Sequence, residues 1–242
     1  MQFKKILFLF FLIFSSSVFA DDKMTLVLEV YNNKAQSGVC HTLQSAGSEG
    51  HNGPKLDQRD KKIIEKGFYD QAILLKPFVD FFYLDVLCGS KECEIALNVT
   101  EKFNLPVLVG LHVKRNGKLP SNETISEVVE KCKNKNWLGL ILACVAPEII
   151  ENSVDEIKKL NIPFGYKANL WKAEEPVPVH KFASPSDEVG VNPVESMGTR
   201  DDYTDVRFLD FSKKMVEKGA TILGGCCESK PSHINKISAL KN

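Results

Sequence analysis

Apolar and polar positions alternate along this chain in two distinct rhythms. Between residues 57 and 79, Ile64, Phe68, Ala72 and Leu75 recur at helical spacing, with charged residues between them. The run Phe81-Phe82-Tyr83-Leu84-Asp85-Val86 then reads as a buried strand. The same succession repeats downstream. A helix is expected over 92–103, a strand over 107–111, and a helix carrying Ile125, Val128, Val129 and Cys132. A strand over 138–144 follows, then a helix opened by Pro147, a strand over 163–169, a helix over 205–218 and a strand over 221–224. Pro231 starts a closing helix at the one position where a helix tolerates proline. Near-continuous apolar strands separated by amphipathic helices predict a parallel sheet covered by helices, in an α/β fold.

Five strands at intervals of 25–30 residues fit a TIM-barrel-like (β/α)8 architecture. Two more are expected in the front part, over 24–31 and 38–46, which makes seven rather than eight. A full barrel typically needs about 250 residues. The barrel is therefore expected to be incomplete at its N-terminal strands. The stretch 171–203 holds Pro176, Pro178, Pro185 and Pro193 and follows a strand end, where barrel sites are built. Its length and place predict a lid.

Lys4 and Lys5 precede an apolar run over 6–14 and then Ser15-Ser16-Ser17-Val18-Phe19-Ala20. That pattern predicts a secretory signal over residues 1–20, cleaved before Asp21, leaving a single domain over 21–242 in a periplasmic or secreted protein. Without a functional signal the protein would be cytoplasmic. The apolar run is less than half of a membrane span, and no other segment approaches one.

Composition adds an exclusion. The 31 Lys+Arg balance 31 Asp+Glu, so no cationic excess exists to neutralise phosphates, and a nucleic-acid partner is not expected. Arginine occurs only at Arg59, Arg115, Arg200 and Arg207.

The candidate chemistry lies in cysteine. The chain holds seven: Cys40, Cys88, Cys93, Cys132, Cys144, Cys226 and Cys227. An odd count with one adjacent pair does not suggest a disulfide framework, although an exported protein would allow one. Cys93 and Cys132 fall within helical patterns as small apolar residues. Cys226 and Cys227 leave a strand directly after Gly224-Gly225, and Cys144 ends a strand on the same rim. Three thiolates there suit zinc, which takes sulfur ligands in a tetrahedron and keeps one position open when catalytic. Spacing alone leaves two readings open, a zinc site or small core residues.

The segment Thr221-Ile222-Leu223-Gly224-Gly225-Cys226-Cys227, followed by Pro231-Ser232-His233-Ile234, resembles the closing motif of zinc-dependent homocysteine S-methyltransferases, the family of the betaine and S-methylmethionine enzymes. Leu142-Ala143-Cys144 with Pro147-Glu148 is similar to the family's single-cysteine motif, where Asn usually precedes the cysteine. Phe164-Gly165-Tyr166-Lys167-Ala168-Asn169 matches the next strand at Asn169. Asp85 stands where the family has a Glu that holds the substrate amine. The resemblance implies Zn2+ on Cys144, Cys226 and Cys227, with Asp85 and Asn169 binding substrate. It further implies methyl transfer from a small methylated onium donor to homocysteine, giving methionine. Trp171, Tyr166 and Phe182 are candidates to face the donor cation. The family also opens with an Asp-Gly strand, and this chain contains no Asp-Gly pair. A non-catalytic exported zinc- or thiol-binding relative is the alternative. His233 is expected to cap or pack the last helix, and His112 and His180 lack metal-spaced partners.

Overall fold

The computed structural model describes residues 25–27, 56–79, 81–132, 137–172 and 198–240. The expected signal over 1–20, the expected strand over 38–46 and most of the expected lid lie outside them. The strands are β1 (Thr25–Val27), β2 (Phe82–Leu87), β3 (Val107–Leu111), β4 (Trp137–Val145), β5 (Phe164–Ala168) and β6 (Ile222–Gly225). The helices are α1 (Lys61–Leu75), α2 (Ser90–Glu101), α3 (Ile125–Cys132), α4 (Pro147–Lys158), α5 (Asp205–Glu217) and α6 (Pro231–Ser238). A single 3-10 turn, Lys76–Phe78, follows α1.

Several helices start at a side-chain cap or a proline supplied by the sequence. Asp60 accepts the Lys62 N–H at 2.8 Å, and Thr204 accepts the Arg207 N–H at 3.3 Å. Pro147 and Pro231 open α4 and α6. His233 does cap the last helix, since its Nδ1 accepts the Lys230 N–H at 2.9 Å. No described helix is long and apolar enough to cross a membrane.

All strand pairings are parallel, in the order β1-β6-β5-β4-β3-β2. The first strand lies beside the last, as closing a barrel requires. Among the described residues the arc stops at β1 and β2, so the fold is a partial TIM-type barrel, as the spacing led us to expect. Side chains alternate between two cores. Phe82, Leu84, Val109, Leu140, Leu142, Tyr166 and Leu223 face the helices. Phe81, Leu108, Ile141 and Ile222 pack together on the inner face.

The inner face is kept narrow by glycines. A Cβ on Gly110 would fall 2.7 Å from the Tyr83 hydroxyl, whose ring lies over β3. A Cβ on Gly165 would fall 1.7 Å from the Ile222 carbonyl oxygen, well inside van der Waals contact. The curvature has a direct witness: Lys167 on β5 donates to Asp85 on β2 at 2.5 Å. Those strands are three spacings apart, about 14 Å along a flat sheet. Their side chains meet because the sheet bends round on itself.

The end of β2 is fixed by Glu92 in the first turn of α2. Its Oε2 accepts the Cys88 N–H at 2.8 Å, and its Oε1 accepts the Asp57 N–H. Asp57 is itself gripped by Arg59 through both carboxylate oxygens. Burial raises the Glu92 carboxyl to about 6 despite those donors.

Two predictions follow from this packing. Gly165→Ala forces β5 from β6 and should destabilise the protein by about 3 kcal/mol or more, read as a lowered urea midpoint. For Glu92, the folded-state value lies above the ordinary 4.5, so the folded form binds more protons between the two values. The contribution to stability is fully present below pH 4.5 and is lost as pH rises through about 6, amounting to about 2 kcal/mol. Glu92→Gln should abolish this slope in urea titrations run between pH 4.5 and 6.5, and an unchanged slope would assign it to another group.

Candidate metal centre at the strand ends

The C-terminal ends of β2, β4 and β6 meet in a small buried cluster of Val86, Ala143, Cys144, Trp171, Cys226 and Cys227. Strict alternation would not produce it. Leu140 and Leu142 face the helices, so Cys144 should too. Instead Cys144 takes a left-handed backbone, φ 56°, and the β4–β5 register slips between Ala143 and Val145. This bulge places Ala143 and Cys144 on the inner side together, and Val145 returns to the helix side. β2 carries the same device. Val86 also has φ 56°, the register slips between Leu84 and Leu87, and Leu87 returns to the helix side. A β-branched residue in that conformation is strained.

The cysteine pair arrives differently. Neither Gly224 nor Gly225 is left-handed. Gly225 is required by close approach, because a Cβ there would lie 2.5 Å from Ser229. The segment after it folds back onto β5. The Cys226 N–H donates to the Ala168 carbonyl at 2.8 Å, and the Leu170 N–H donates to the Cys227 carbonyl at 2.9 Å.

The three sulfurs converge. Cys144 Sγ lies 3.6 Å from Cys227 Sγ, and Cys226 Sγ lies 3.7 Å from Cys227 Sγ. All three lie within 4.8 Å of one another. Sulfurs about 2.3 Å from a tetrahedral zinc stand roughly 3.8 Å apart, so the set fits that ion as it stands. As thiols, Cys144 and Cys226 are held protonated. Mutual hydrogen bonding with Cys226 and Cys227, then burial, raises Cys144. Burial pushes Cys226 up to about 12, and the Lys167 charge works against that rise.

Asn169 borders the cluster, and Asp85 directly precedes its member Val86 in β2. Asn169 Nδ2 donates to the Cys144 carbonyl at 2.7 Å and stands 4.0 Å from its sulfur. Asp85 Oδ2 is taken by Lys167. One buried oxygen on each, Asn169 Oδ1 and Asp85 Oδ1, has no hydrogen-bond partner. Two orphaned acceptors beside a sulfur cluster call for a donor. Of the aromatic candidates, Trp171 joins the cysteines. Tyr166 does not, because it points to the helices and its hydroxyl donates to Ser212 at 2.7 Å. Phe182 lies outside the described residues. His112, at the end of β3, places Nδ1 3.3 Å from the Ala143 carbonyl, which leaves it outside the sulfur cluster. Sequence reasoning missed Lys167. The signal was present, since a lysine interrupts the run Phe164-Gly165-Tyr166-Lys167-Ala168 on the side opposite its large apolar residues.

A partial barrel with buried thiols at its C-terminal rim defines the class. The homocysteine S-methyltransferase family model matches residues 23–240, and the chain belongs to that family. It is 24% identical over 175 residues to homocysteine S-methyltransferase 1 of Arabidopsis thaliana, covering 69% of this chain and 47% of that one. The enzyme of the same name from Brassica oleracea var. italica is 22% identical over the same shares. The chain spans about half the length of these curated relatives. Among solved structures, the homocysteine methyltransferase MmuM from Escherichia coli superposes with a TM-score of 0.54 in a metallated form, at 13% identity, covering 88% of this chain and 59% of that one. Its apo form gives 0.50 at 15% identity, covering 72% and 56%. Both likenesses concern the fold.

Proposed function

We propose that this protein transfers a methyl group from a small methylated onium donor to the thiol of homocysteine, with zinc held by Cys144, Cys226 and Cys227. The observation that carries the reading is the convergence of the three sulfurs at zinc-like separations. Zinc held by Cys144, Cys226 and Cys227 would supply Lewis acidity that lowers the pKa of a substrate thiol, so that its proton is released to solvent. The remaining work falls to the chain. Asp85 Oδ1 accepts from the substrate ammonium, and Asn169 Oδ1 is a second acceptor in the same wall. Asn169 also holds the Cys144 carbonyl and so fixes the bulge that turns its sulfur inward. Trp171 offers a ring face to the onium charge. In the transfer a carbon–sulfur bond forms to homocysteine. The bond from the methyl to positive nitrogen or sulfur breaks, and its electron pair leaves with a neutral amine or sulfide.

The second reading is a zinc- or thiol-binding relative without catalysis. It draws on the missing Asp-Gly pair. Export of the mature protein from Asp21 belongs to the proposal under either reading.

The purified protein should carry one zinc per chain by elemental analysis. Cys226→Ala should lose stoichiometric zinc while its circular dichroism stays nearly unchanged; retention of one tight equivalent would refute the ligand set. Zinc-loaded protein should form methionine from homocysteine with betaine, S-methylmethionine or a dimethylsulfonium donor. No methionine from any of them, with zinc fully bound, establishes the second reading instead. Mass spectrometry of the protein from its native host should find Asp21 at the N-terminus, and an intact Met1 in a cytoplasmic fraction would overturn the assignment of export.

A further inference from the structure

Lys167 is the one fully buried lysine among the described residues, and it is aimed at Asp85, the candidate substrate-binding carboxylate, rather than at solvent. Its side chain is 0% exposed and that of Asp85 is 11% exposed. The ammonium also stands 5.3 Å from the centre of the Tyr83 ring, which limits where it can move. A buried charge persists only when it is paired, so each member of this couple fixes the other. The consequence for Asp85 is directional. With Oδ2 committed to Lys167, the carboxylate plane is set, and Oδ1 is the oxygen presented without a partner. Lys167 also stands opposite Gly224 in the β5–β6 pairing, two residues before the cysteine pair.

We propose that Lys167 is a positioning residue for substrate binding: it orients Asp85 so that Oδ1 receives the amine of an amino-acid thiol, and it offsets the carboxylate charge beside the anionic sulfur cluster. This rests on the function proposed above and adds a residue to it. Three thiolates on a divalent zinc leave a net negative charge, and an uncompensated aspartate nearby would add to it at low dielectric. The Lys167–Asp85 couple is neutral overall, so the carboxylate can recognise an ammonium without that repulsion. The role is confined to one end of the ligand. The sulfur end of the ligand depends on the cysteines, and the amine end on the couple.

That division gives the test. Binding of homocysteine, and of 4-mercaptobutyrate, which has the thiol but no amine, is measured calorimetrically on zinc-loaded protein. Lys167→Met should weaken homocysteine by about tenfold or more, the scale of a charge-assisted hydrogen bond, while 4-mercaptobutyrate changes by less than about twofold. Equal losses for both thiols would make Lys167 a purely structural residue, and no loss for either would also overturn the proposal. Lys167→Met leaves Asp85 unpaired and can impair folding, so the double variant Asp85→Asn/Lys167→Met is compared with Asp85→Asn alone. If Lys167 acts through Asp85, the two bind homocysteine equally; a further drop in the double variant would refute that route. Wild-type protein that holds zinc but binds neither thiol would sink the proposed function, and the role of Lys167 with it. A wild type that binds both thiols, with a Lys167→Met variant that behaves identically, would sink only the role of Lys167.

Discussion

The left-handed turn of backbone at Cys144 is the constraint on which the site depends. Without it, the parity of β4 would send that sulfur into the helix-packed core with Leu140 and Leu142. The bulge costs conformational energy, of order 1–3 kcal/mol for a non-glycine residue held in that region. It is held by structure on both sides: the Asn169 side chain on the Cys144 carbonyl, and the Asn169 N–H on the Val145 carbonyl at 3.0 Å. The matching bulge at Val86 brings a methyl-bearing wall to the same level. Two strained residues in equivalent places on β2 and β4 bring Val86 and Cys144 into one buried cluster at the strand ends.

Much of this was legible in the chain. The spacing of Ile64, Phe68 and Ala72 gave α1, and all three are buried. The bounds of β3 and α3 coincide with the apolar runs that announced them. The partial barrel followed from strand spacing, and its family from the double-cysteine motif together with its flanks. Legibility failed where a side chain's direction depends on local irregularity. Nothing in Leu142-Ala143-Cys144 announces a bulge, since the left-handed residue is not a glycine.

Tyr166 and Lys167 show a different failure, one of reading rather than of information. Reading the strand as continuously apolar places an aromatic near the site. Its alternation places Phe164, Tyr166 and Ala168 on one face and Gly165 and Lys167 on the other. A glycine and a lysine on one side of a parallel strand mean that this side is narrow and polar, and it is the inner one. The Asp85–Lys167 pair joins residues 82 positions apart, a pairing that no local pattern contains.

The placement of the sulfurs also bears on how the chain is held together as a polymer. Cys144 and Cys227 are 83 positions apart, and β5 runs between the strands that carry them. A cation shared by both would act as a clip on a long loop, spanning α4, β5, α5 and β6. Unlike a disulfide, such a cation would leave on unfolding, so its contribution to stability would be its binding to the folded site and would grow with free metal concentration. The clip would bear on the rear half of the arc and leave β2 and β3 untouched. Loss of such an ion would then be felt first as loosening between β4 and β6, so that metal supply would set the mechanical integrity of one half of the molecule.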